Sequence, residues 1–126
     1  MKNVAKQAQQ SILFIRGVDA HETDEQILKY LRERRHQVSV AVDGKDAVIK
    51  ALNRTSSTFD VIISNGVNHS WVALREVQDA LEAVKRLPEV RVVIAHKPED
   101  VAWAMAREFT AVRVTKLING LKKLNL

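Results

Sequence analysis

The stretch that most limits what this chain can become is 59–66, FDVIISNG. Val61, Ile62 and Ile63 are consecutive β-branched residues, and Ser64, Asn65 and Gly66 close the run. A strand with one wet face alternates apolar and polar residues. An unbroken apolar run suits a strand covered on both faces, as in a parallel sheet between helix layers. In open sheets of that kind the functional crevice lies outside the carboxyl ends of the strands. Asn65 is therefore expected at that crevice.

The flanking sequence repeats the pattern of strand then helix. Residues 11–16 (SILFIR) read as the first strand and 17–22 as a loop. Thr23 is a candidate N-cap with Gln26 as its capping-box partner, opening a helix over 24–35 that buries Ile27, Leu28 and Leu31. Residues 37–42 (QVSVAV) alternate, which suits a less covered strand at the sheet edge, and Asp43-Gly44 turns into a helix over 45–53. Beyond Asn65, a helix is expected over 70–87, stopped by Pro88. A strand over 90–95 (VRVVIA), a helix to about 108, a strand over 110–114 (TAVRV) and a helix over 116–124 complete the order.

Five strands alternating with five helices, joined by right-handed crossovers, give an α/β three-layer sandwich. The fold expected is flavodoxin-like, one five-stranded parallel sheet with helices on both faces. The 126 residues fit one domain, taken as 11–126, and the polar stretch 1–10 is expected to be a flexible N-terminal extension.

Composition excludes several chemistries. There is no cysteine, hence no disulfide, thiol nucleophile or cysteine-ligated zinc. No run approaches the roughly 20 apolar residues that cross a bilayer, and no secretory h-region opens the chain, so a cytoplasmic location without membrane attachment is expected. Lys and Arg exceed Asp and Glu by 20 to 15, but the excess is dispersed. Its densest point, Arg32 to His36, falls at a predicted helix end, where cations complement the helix dipole. The histidines, His21, His36, His69 and His96, have no i, i+4 pairing, so no metal is expected. His69 and His96 follow strands near Asn65 and are read as solvent-facing loop residues. Ser64 and Ser70 lack a nucleophile elbow, and the four glycines are too far apart to cradle a phosphate.

Nearly the whole chain resembles the CheY-like receiver domain of bacterial response regulators. The likeness rests on SILFI, HQVSVAVDGKDAV, FDVIISN, VRVVIAH and VRVTKL. In that family an acidic pair after the first strand holds magnesium. A phospho-accepting Asp follows the third strand, a Ser or Thr the fourth, and a Lys the fifth. By matching position, Arg16 and Gly17 stand for the acidic pair, Asn65 for the acceptor and Ala95 for the hydroxyl, and only Lys116 is retained. Arg113 takes the place of an aromatic switch, and Leu117 replaces the usual proline. Asp19 is left open as a displaced acid. Magnesium wants carboxylate oxygens, and an amide is a poor nucleophile beside a carboxylate. The resemblance thus implies a degenerate pseudo-receiver, not an enzyme and with no cofactor, in a two-component or related pathway.

Lys116 is read chiefly as structural, its ammonium bonding Asn65 or a carbonyl. The resemblance places partner binding and homodimerisation on the fourth helix, fifth strand and fifth helix. Trp103, Arg107, Arg113, Lys122 and Lys123 would give that face an aromatic and a basic character, so an acidic protein partner is expected in preference to DNA. Two other classes stay open: a small α/β enzyme or ligand-binding domain using Asn65, His69, His96 and Lys116, and a basic nucleic-acid binder.

Overall fold

A computed structural model describes residues 9–16, 22–54, 58–66 and 70–126, with the side chains of 70–73 excepted. Gly17, Asp19, His21 and His69, the Trp71 side chain and residues 1–8 of the extension lie outside that description.

The strands are β1 (Ser11–Ile15), β2 (Gln37–Ala41), β3 (Val61–Asn65), β4 (Val90–Ala95) and β5 (Thr110–Arg113). They alternate with α1 (Glu22–Glu33), α2 (Gly44–Leu52), α3 (Ser70–Ala83), α4 (Pro98–Ala106) and α5 (Leu117–Lys123). A 3₁₀ turn, Val114–Lys116, joins β5 to α5. All pairings are parallel, and the sheet order is β2-β1-β3-β4-β5. This is the doubly wound α/β fold expected from the alternation.

The unbroken apolar run of β3 has its physical reason in this order. β3 is the middle strand, and all five of its residues are buried. Val61 and Ile63 enter one core with Ile12, Phe14 and Ile94, under Ile27 and Leu31 of α1 and Leu121 of α5. Ile62 enters the other with Leu13, Ile15 and Val93, under Leu74, Val77 and Leu81 of α3 and Ala104 of α4. Two-sided burial of this kind contributes about 1.5–3 kcal/mol for each large aliphatic side chain. β2 and β5 form the edges, which accounts for the alternation of β2.

Four helix ends differ from the periodicity reading. Arg35, Lys85, Glu108 and Asn125 have positive φ, between 60° and 67°, although none is glycine. Each closes a double backbone bond of the Schellman kind, as in Lys85 N–H to Glu82 O and Arg86 N–H to Leu81 O. Hence α3 ends at Ala83, four residues before the end expected from Pro88.

At the amino end of the sheet, Gln10 N–H donates to Nδ1 of buried His36 at 3.1 Å, and Gln10 O accepts from Gln37 N–H. Burial, reinforced by the Arg34 guanidinium, pushes the His36 imidazole below its ordinary value.

Candidate functional site at the carboxyl end of the sheet

Asn65 is the last residue of β3 and is fully buried. It follows Val61 and Ile63 by strand alternation, so its side chain points toward α1. The amide Nδ2 donates to Thr23 Oγ1 at 2.9 Å and to Asp24 Oδ1 at 2.7 Å. Asp24 Oδ1 belongs to a carboxylate, which only accepts, so the amide nitrogen must be the atom facing it. Asn65 Oδ1 then faces His96 Nε2 at 2.7 Å, and His96 is the donor. The ring nitrogen Nε2 carries the hydrogen.

The partners converge from three segments. Thr23 and Asp24 sit in the first turn of α1, 6% and 5% exposed, where the helix dipole favours a carboxylate. His96 follows β4, its backbone N–H held by Asp100 Oδ2 at 3.0 Å. Asp100 Oδ2 also accepts from Lys97 N–H at 3.1 Å, fixing the turn into α4. One buried amide therefore ties β3 to the start of α1 and the start of α4.

Gly66 continues the site because no other residue fits. Its N–H donates to Ile94 O at 2.9 Å, and a Cβ there would lie 2.4 Å from that oxygen. Ser64, on the opposite face, is fully buried, and among the described residues its hydroxyl has no hydrogen-bond partner.

The other expected pocket residues are less closely gathered. Arg16 follows Ile15, the register partner of Ser64, and so stands beside Asn65 in the sheet. Ala95 ends β4 next to Ile94, the register partner of Asn65, and offers a buried methyl. Lys116 is exposed in the 3₁₀ turn, on the rim of a groove between α1 and α5. Among the described residues no hydrogen bond joins it to Asn65, so of the two bonds expected for its ammonium that one is not made. The amide has no charge to hold an ammonium, and its polar atoms are already engaged.

Two further corrections concern residue types read as bland. His96 is half-buried and bonded to Asn65, so it is not a solvent-facing loop histidine. Thr23 is not an N-cap, because α1 begins one residue earlier and turns Thr23 and Asp24 inward. A buried donor at Asn65 needs acceptors, and these two supply them. The Thr-Asp pair at a helix start is the sequence signal that could have found them.

Trp103 is half-buried, its ring 6.0 Å from that of Phe109 and covered by the Arg107 guanidinium at 4.8 Å. Arg113, Lys122 and Lys123 are exposed.

Comparison with solved structures bears on the fold. The chemotaxis protein CheY4 of Vibrio cholerae, crystallised at low pH, superposes with a TM-score of 0.65 at 20% identity, covering 92% of this chain and 98% of that one. The chain has a CheY-like fold. A second structure of the V. cholerae chemotaxis response regulator CheY4 gives a TM-score of 0.59 at 20% identity, covering 94% of this chain and 100% of its own. No family model and no curated protein matches the chain. The CheY-like sheet puts Asn65, Ala95 and the α1 start at one end, around the network described above. Among the described residues no helix is long and apolar enough to cross a membrane.

Proposed function

We propose that this chain is a receiver-like signalling module that works by protein–protein interaction and without aspartyl phosphorylation. The observation that carries the reading is the commitment of Asn65. Its neutral amide is buried, donates to Thr23 and Asp24, and accepts from His96. A phospho-acceptor needs a carboxylate oxygen with room for an incoming phosphoryl group and a cation beside it. Here the acceptor is an amide, Asp24 is engaged by that amide, and the buried methyl of Ala95 offers no hydroxyl.

The CheY4 proteins are named for chemotaxis and response regulation. Their likeness supports a signalling role for the same scaffold. The exposed cations Arg113, Lys122 and Lys123 on β5 and α5 are the surface offered to an acidic protein partner. A small-ligand reading is less well supported. Among the described residues, the hollow lined by Ala95, His96 and Arg113 beside the site measures about 150 Å³, below the roughly 300–1,000 Å³ of ligand pockets.

Fluorine NMR with beryllofluoride and magnesium tests the reading. No protein-bound fluoride resonance is expected. A bound resonance that depends on magnesium would overturn it.

A further inference from the structure

β5 pairs with β4 alone among the described residues, so its outer edge is open. In a parallel strand, alternate residues direct both N–H and C=O to the same side, so half of this strand's backbone groups face outward. Beside that edge runs a groove of about 690 Å³, walled by β5 on one side and α5 on the other. Gly120 lets α5 approach closely, since a Cβ there would lie 2.5 Å from Val112 Cγ1. The rim carries Arg113, Lys116, Lys122 and Lys123, all exposed, and no acidic residue lines the groove. Segment 110–126 contains no Asp or Glu at all.

We propose that this groove takes an extended acidic peptide, which adds to β5 as a sixth strand. The open ladder supplies backbone pairing, and the four cations select the charge. A second copy of the same edge is disfavoured, because it would bring the same four cations against these. The inference rests on the reading of the chain as an interaction module and names the chemistry of its partner.

The test is a titration by fluorescence anisotropy, at low salt, with a labelled peptide of alternating Glu and Val. The same peptide N-methylated at every residue retains its charge and side chains but offers no N–H on either edge and cannot pair along a strand. Binding of the first is expected, with the methylated peptide weaker by about tenfold, as loss of two net hydrogen bonds implies. A K122E/K123E double variant, checked for folding by circular dichroism, is expected to lose binding. Equal binding of both peptides, binding undiminished in the variant, or no binding of either with or without beryllofluoride and magnesium would overturn the proposal. Repeating the titration with beryllofluoride and magnesium separates it from the reading above. Unchanged affinity supports both, whereas binding that appears only with these additives keeps the groove and removes phosphorylation independence.

Discussion

His96 Nε2 lies 2.7 Å from Asn65 Oδ1, and this bond decides how the carboxyl end of the sheet is arranged. The histidine can only donate there because the amide nitrogen is already turned to Asp24. Asn65 thus stands between a carboxylate at the start of α1 and an imidazole at the start of α4. An Asp at the same position would present oxygen to both.

That contrast gives the first prediction. In N65D, a carboxylate replaces the donor 2.7 Å from Asp24 Oδ1. The bond to Asp24 is lost, while the Thr23 hydroxyl can turn to donate, and like charges meet in a buried place, a change costing about 2–4 kcal/mol. Urea unfolding at neutral pH should show this drop. Millimolar magnesium should recover part of it in N65D and leave the parent chain unchanged, since a divalent cation between two carboxylates relieves their repulsion.

Gly66 makes a steric prediction. A Cβ at 2.4 Å from Ile94 O cannot be accommodated without moving β4 or breaking the Gly66 N–H bond. Gly66→Ala should lower stability by about 1–3 kcal/mol. Thermal unfolding measures it.

The helix ends predict gains. Lys85 and Glu108 hold left-handed backbone at exposed Schellman positions, where glycine carries no Cβ penalty. Lys85→Gly and Glu108→Gly should each raise stability by about 0.5–1 kcal/mol, after allowing for the greater freedom of glycine in the unfolded chain. Denaturant midpoints of the two variants check this.

His36 predicts a pH dependence. Its folded pKa is lowered, first by burial and then by Arg34, so the unfolded chain binds the extra proton more readily. Stability from neutral His36 is fully present above the unfolded value of about 6.5 and is lost as pH falls from there toward the lower folded value. Protonation also removes the acceptor for Gln10 N–H. Unfolding free energy measured from pH 7.5 downward should decline through this window, and His36→Gln should flatten the decline.

The strands were legible in the sequence because burial on both faces leaves a visible mark, the unbroken run of β3 and its echoes in β1 and β4. The edge position of β2 showed in its alternation. Less legible was the network around Asn65, because Thr23, Asp24 and His96 come from segments far apart in the chain, and nothing local marks their meeting. Thr23 looked like a cap because a Thr before a helix usually is one. Helix ends were misjudged for a different reason: the left-handed residues that close them are Arg, Lys, Glu and Asn, so the usual glycine signal was missing.

Intact-mass spectrometry after incubation with acetyl phosphate and magnesium tests the central claim, that Asn65 closes the site to phosphoryl transfer. The parent chain should show no phosphoryl adduct under conditions that label an active response regulator run in parallel. An adduct that is removed by hydroxylamine, as an acyl phosphate is, would contradict the account.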